Sequence, residues 1–232
     1  MRGEALRAAP EDAGGLLKPA ALLDLDGTLV DANYQHALAW YRAFRRYDLV
    51  LPVWRLHRHI GMGSDQYVAA VAGDDVESRL GDDLRDAHDE EFKRLRDECA
   101  PLEGARELVL ELKRRGHVVV LASSSGQDDL DHFLGELGVR DAVDGWTTAD
   151  DVERTKPHPD VIHAALEKAG TEGAVMLGDS RWDIEAAANA GLETVCLITG
   201  GWSEQELRDH GAACVFDSLV ELRQGLDSTP LS

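Results

Sequence analysis

Lysine, cysteine and aromatic residues are all scarce in this chain. Lysine occurs five times in 232 residues, and lysine plus arginine reach 24 against 44 aspartates and glutamates, a formal charge of -20. No basic cluster interrupts that excess, so nucleic acid and anionic membrane are repelled over most of the surface and neither is expected as a partner. The three cysteines, Cys99, Cys196 and Cys214, are odd in number and lack framework spacing. That excludes a disulfide scaffold and suits buried free thiols in a reducing compartment. No apolar run approaches the roughly 20 residues of a membrane span, and the acidic N-terminal stretch has no apolar core of signal-peptide length. The expectation is a soluble, cytoplasmic protein. No helical pattern carries an apolar face wider than a core needs, so a monomer or weak homodimer is expected.

Apolar residues make up 44% of the chain, enough for a sizeable core. Residues 1–18, rich in Ala, Gly, Pro and charge, are expected as a loose tail. Beyond them short apolar runs recur, each followed by a helical pattern: "ALLDL" near Ala21, "HVVVLAS" from His117, "AVMLGD" from Ala174, "ETVCLIT" from Glu193 and "AACVF" from Ala212. This alternation predicts an α/β fold with a parallel sheet and helices on both faces, built from residues 19–32 and 101–232. Residues 33–100 break the rhythm with helical patterns and no β run, which predicts an all-helical insert. Ligands of open parallel sheets bind at the carboxyl ends of the strands.

Four stretches at those ends carry chemistry. In "LLDLDGTL" the alternation of a strand sends Asp24 and Asp26 to one side and Leu25 to the other, so two carboxylates reach one ligand. Gly27 permits a sharp exit, and Thr28 is suited to bonding local backbone. In a sequence this acidic, D-x-D alone arises easily as a polar strand end; the full D-x-D-G-T-L after an apolar run is far more specific. In "VVVLASSSG", Ser123, Ser124 and Ser125 with free backbone N–H groups form a neutral phosphate cradle, although serines there read more readily as helix caps when taken alone. Lys156, in "ERTKPHPD", is held before Pro157 and could neutralise a phosphate beside Asp24. In "AVMLGDSRWD", Asp179 and Asp183 offer the hard oxygens that Mg²⁺ takes. The similar "AGDDVE" and "LGDDLR" have no strand before them and read as solvated turns.

With these four motifs in this order, the chain resembles the haloacid dehalogenase-like superfamily from about Ala20 to Asp227. Its helical insert is similar to the cap of the phosphoglycolate phosphatase and β-phosphoglucomutase branch. The resemblance implies a Rossmann-like core, Mg²⁺ as cofactor, and hydrolysis of a small phosphate ester, of the phosphoglycolate or sugar phosphate type. By it, Asp24 is the nucleophile that becomes an aspartyl phosphate, Asp26 the general acid and base, and Ser123, Ser124 and Lys156 the phosphate holders. Mg²⁺ would be held by Asp24, the Asp26 carbonyl and Asp179, with Asp183 either a ligand through water or an anchor for the others. His36 and the cap loop Gly61, Met62, Gly63 and Ser64 would select the substrate.

The resemblance also supplies rivals. Dehalogenases in the superfamily lack the carboxylate that Asp26 provides. Phosphonatases need a cap lysine, and Lys93 lies in a charged run that reads as a solvated face. A phosphosugar mutase shares a histidine and tryptophan like His36 and Trp40, though helix packing is the favoured reading of Trp40. Mutases also carry an arginine near the position of Ser64, for which Arg55 or Arg58 would have to substitute. A binding module without turnover is the remaining alternative, and the presence of both Asp24 and Asp26 argues against it.

Overall fold

In the computed structural model, which describes residues 18–171 and 173–232, the strands in chain order are β1 (Ala20–Leu23), β2 (Val30–Asp31), β3 (Ala100–Pro101), β4 (Val119–Ala122), β5 (Gly145–Thr147), β6 (Ala174–Gly178), β7 (Glu193–Leu197) and β8 (Cys214–Phe216). Six form one parallel sheet in the order β5-β4-β1-β6-β7-β8. The four residues of β1 are fully buried because helices cover both faces of the sheet, which is why the strand reads as a continuous apolar run. On one face Ala21, Leu23, Leu121 and Leu177 pack with α5 (Ala105–Arg114), α6 (Gln127–Leu137) and the C-terminal helix Leu219–Gly225. On the other, Leu22, Val120 and Met176 meet α7 (Asp160–Ala169) and α8 (Arg181–Asn189). The tail expected over residues 1–18 lies outside the described residues except for Lys18.

Between Asp31 and Ala100 run four helices: α1 (Asn33–Arg46), α2 (Val53–His57), α3 (Ser64–Ala72) and α4 (Asp74–Leu95). They build a separate apolar cluster from Trp40, Phe44, Leu56, Tyr67, Val71 and Leu84, inside which the Tyr67 hydroxyl donates to the Leu56 carbonyl at 2.8 Å. The chain enters and leaves this insert through the antiparallel pair β2 and β3, in which Val30 faces Pro101.

One strand lies outside the expected set, and two expectations need correction. β5 was hidden because a three-residue edge strand, "GWT", has no apolar run to mark it. The "GDD" stretches at Gly73 and Gly81 are not turns: Asp74 opens α4, which continues through Gly81 because one glycine costs a helix only about 1 kcal/mol. The serines after β4 do not cap α6, whose N-cap is Gly126 with no side-chain bond. Among the described residues no helix is long and apolar enough to cross a membrane. Cys99, Cys196 and Cys214 are free thiols; the first two are buried and Cys214 is partly exposed.

Candidate active site

The site begins where β1 runs out. The Asp24 amide donates to the Leu177 carbonyl at 2.9 Å, so the ladder with β6 fixes its backbone, while Leu25 turns into the core. Gly27 then turns the chain at φ +81, and a side chain there would collide with Asn33 and the Asp179 carboxylate. Thr28 does not bond locally as expected. Its hydroxyl donates to Asp179 Oδ1 at 2.9 Å, and Asn33 Nδ2 donates to Asp179 Oδ2 at 2.8 Å. The first motif thus holds the last one in place across 151 residues of sequence.

Asp183 is anchored by its own helix. Its Oδ2 closes a capping box at the start of α8, accepting from the Ser180 hydroxyl at 2.6 Å and the Ser180 amide at 3.1 Å. Its Oδ1 lies 2.7 Å from Lys156 Nζ, which also donates to Asp24 Oδ1 at 2.6 Å. Carboxylate oxygens of Asp24, Asp179 and Asp183 all lie within 4.8 Å of one another, and all three side chains are buried.

Such crowding sets the protonation states. Burial is the largest influence on Asp24 and raises it from 3.8 to about 7; Lys156 pulls it back and Asp183 pushes it further. Burial likewise raises Asp179 well above the carboxylate range, reinforced by Asp183 and Asp24. For Lys156 burial alone would lower the ammonium, but Asp183 and Asp24 outweigh it and hold the lysine charged. Asp26 differs from its neighbours. Burial would raise it, yet the contacts of His36, Ser125 and Lys156 prevail and keep it below the ordinary value. Its Oδ2 accepts from the Ser125 hydroxyl at 2.5 Å, and Oδ1 is 3.7 Å from His36 Nε2.

Above these groups lies a cavity of about 270 Å³ between the sheet end and the insert. Asp24, Asp26, Ser124, Ser125 and Lys156 line it from below; His36, Trp40, Gly61, Met62, Gly63 and Ser64 line it from the insert. Ser123 is buried beside these residues, and its hydroxyl accepts from the Ser125 amide at 3.0 Å. Ser124 Oγ is buried without a partner among the described residues. The insert is seated on the lysine loop, since the Gly63 amide donates to the Lys156 carbonyl at 3.1 Å and Gln66 Nε2 to the Thr155 carbonyl at 2.9 Å. Trp40 packs as expected, stacked on Tyr67 at 4.3 Å and His88 at 4.2 Å between ring centroids, and it also borders the cavity.

The arginines weighed as substitutes are elsewhere. Arg58 pairs with Glu206 at 2.7 Å and lies over the Trp202 ring, Arg55 is exposed, and neither lines the cavity. Lys93 is exposed on α4. Sequence reasoning missed His88, whose Nε2 lies 3.2 Å from His36 Nδ1 and whose Nδ1 is 2.9 Å from Asp89 Oδ1. Its signal was present: Leu84, His88, Phe92 and Leu95 form one stripe at helical spacing inside a charged run, and all four are buried. Asp89, Asp129 and Asp150 on the cavity wall had no comparable signal.

A family model for haloacid dehalogenase-like hydrolases matches residues 18–191. The chain belongs to that family. It is an enzyme, a phosphatase of the haloacid dehalogenase-like kind. Over 212 residues it is 29% identical to a phosphoglycolate phosphatase from Nitrosococcus oceani, covering 87% of this chain and 93% of that protein. It is 31% identical to the pyrophosphatase PpaX of Bacillus cereus, covering 76% of this chain and 81% of the relative. Among solved structures, a hydrolase from Pseudomonas syringae superposes with a TM-score of 0.86 at 31% identity, over 91% of this chain and 99% of that one.

Proposed function

We propose that this enzyme hydrolyses a small phosphomonoester, of the phosphoglycolate or sugar phosphate type, through a phosphorylated Asp24. The observation that carries the reading is the pair Asp24 and Asp26 on one cavity wall, with Lys156 fixed 2.6 Å from the first of them. An Asp24 oxygen attacks phosphorus as the bond to the ester oxygen breaks; Asp26, ionised in the free site, takes the proton of the ester's phosphate monoanion on binding and delivers it to the departing alkoxide. Water then attacks the acyl phosphate; Asp26 takes its proton, and phosphate and the free Asp24 carboxylate are restored. Ser125, bonded to Asp26, holds that carboxyl on the cavity side for both transfers. Lys156 and the free Ser124 hydroxyl are donors to the phosphoryl oxygens, and Ser123 braces the turn that presents Ser124.

The donor set suits Mg²⁺. Three buried carboxylates share one ammonium, the crowding that raises Asp24 and Asp179 is what a bound cation would relieve, and hard oxygens in that number are what the ion takes. Asp24, Asp179 and the Asp26 carbonyl would hold it, with Asp183 anchoring Lys156 and the turn that carries Asp179. When bound, the ion supplies the positive charge that lets a carboxylate and a phosphate dianion approach each other.

A mutase would have to grip a second phosphate, and the insert presents Ser64 to the cavity with Arg58 committed to Glu206. Hydrolysis is therefore the preferred reading. Phosphate release from a panel of phosphorylated sugars, glycolate and nucleotides, with and without Mg²⁺, tests it. Release that depends on Mg²⁺ is expected. No release from any ester, with activity appearing only on adding a sugar bisphosphate, would favour the mutase.

A further inference from the structure

The charge on the cavity wall is one-sided. Five aspartates, Asp24, Asp26, Asp89, Asp129 and Asp150, line it, and Lys156 is the only lysine or arginine on it among the described residues. That ammonium already serves Asp24 and Asp183 at 2.6 and 2.7 Å. Several guanidinium groups of the insert are spent elsewhere: Arg58 on Glu206, Arg85 on Glu77 and Asp82, Arg46 on Glu90 and Glu91, and Arg42 and Arg94 on Glu91. Arg96 reaches one oxygen of Asp129 at 2.9 Å, which leaves the other oxygen of that carboxylate free to accept. Even the start of α3, where backbone N–H groups would favour an anion, carries Asp65 in its first turn, bonded to Thr155.

A phosphoryl group has its counter-charges at the cavity floor. A second anionic group on the same molecule would find no lysine or arginine there, only the His36 and His88 imidazoles, which already face Asp26 and Asp89 at 3.7 and 2.9 Å. It would meet Asp89, Asp129 and Asp150, whose carboxylates repel an anion and accept hydrogen bonds from hydroxyl or ammonium groups. Resting on the phosphatase reading above and choosing the sugar phosphate over the phosphoglycolate type named there, we propose that the leaving group of the substrate bears hydrogen-bond donors and no negative charge, a polyol or amino-sugar fragment and not a carboxylate or second phosphate. Asp89, Asp129 and Asp150 are its specificity-determining acceptors. The name of the Nitrosococcus relative points the other way, because phosphoglycolate carries a carboxylate. The two expectations separate cleanly in an assay.

The experiment compares kcat/KM for esters phosphorylated at a terminal carbon and matched in size: glycerol phosphate against phosphoglycerate, and glucose phosphate against phosphogluconate. Glucosamine phosphate asks whether ammonium adds to hydroxyl, and p-nitrophenyl phosphate serves as the reference ester. Each uncharged member should exceed its carboxylate partner about tenfold or more, which corresponds to roughly 1.4 kcal/mol. The gap should narrow at least about threefold in Asp89→Asn combined with Asp150→Asn, chiefly through KM of the carboxylate esters, because removed repulsion acts on binding. Both aspartates are exposed, so the double variant should fold. Equal or faster turnover of the carboxylate esters, or a gap unchanged in the double variant, overturns the inference. Hydrolysis of the reference ester without hydrolysis of any donor-bearing ester also overturns it and leaves the phosphatase reading standing. Failure on every ester, the reference included, overturns both.

Discussion

Replacing Lys156 by methionine keeps an unbranched side chain one heavy atom shorter and removes its charge. In the wild type the ammonium sits between Asp24 and Asp183 at 2.6 and 2.7 Å, with 1% of the residue exposed. Without it, Asp24, Asp179 and Asp183 form a buried anionic cluster with no cation, and removing one partner of a buried ion pair costs about 3–5 kcal/mol. One escape exists: Asp24, already raised to about 7 with Lys156 present, rises further without it and takes up a proton. Lys156→Met should therefore lose about 3 kcal/mol in EDTA near pH 8 and clearly less near pH 5.5, where Asp24 is protonated in both proteins. In a protein of this size that loss lowers the melting temperature by roughly 6–12 °C at the higher pH. Saturating Mg²⁺ should return part of it by supplying the missing positive charge. Thermal melts of both proteins at the two pH values, with EDTA and with Mg²⁺, measure all three effects. A loss below about 1 kcal/mol near pH 8 in EDTA, or the same loss at both pH values, would refute the electrostatic account.

The wild type should show a related pH dependence. Asp24 lies above its unfolded value, so its contribution to stability is complete below about pH 4 and is lost as pH rises through about 7; a displacement from 3.8 to about 7 corresponds to roughly 4 kcal/mol, and Asp179 acts in the same direction. The melting temperature in EDTA should fall between about pH 5 and pH 8, and Mg²⁺ should flatten that fall; a rise over the same range would contradict the assignment. Gly63→Ala should raise KM several-fold, because its new Cβ lands on the Thr155 hydroxyl and lifts the loop from the Lys156 carbonyl. Gly135→Ala, in exposed helix with nothing within 4 Å, should instead stabilise the fold by about 0.5–1 kcal/mol and leave steady-state kinetics unchanged.

What the sequence made readable follows from how local each signal is. The buried strands β1, β4, β6 and β7 are continuous apolar runs because helices cover them on both faces, and such runs announce themselves. Asp24 and Asp26 were legible together because strand alternation keeps Leu25 on the opposite side, a relation confined to three residues. The edge strand β5 and the two-residue pair β2 and β3 were not legible, since each is defined by the neighbour it bonds and not by its own composition. The same limit hid the partners of Asp179. Thr28 and Asn33 fix that carboxylate from the far end of the sequence, and only the fold brings them near. Ser123 directly follows β4 as read, and which of the serines after it border the cavity, Ser124 and Ser125, is set by the turn and not by the composition. The acidic wall of Asp89, Asp129 and Asp150 comes from three separate segments, and among 44 acidic residues none of the three stands out.

The claim on which the rest depends is that Asp24 itself carries the phosphoryl group during turnover. Acid quenching during hydrolysis of a good substrate, followed by borohydride reduction and peptide mass spectrometry, reports which carboxylate was phosphorylated, because only an acyl phosphate is reduced under those conditions. The account predicts reduction at Asp24, none at Asp26, Asp179 or Asp183, and loss of both reduction and phosphate release in Asp24→Asn with an unchanged circular dichroism spectrum. Full phosphate release by a folded Asp24→Asn, or reduction at another aspartate, would contradict it.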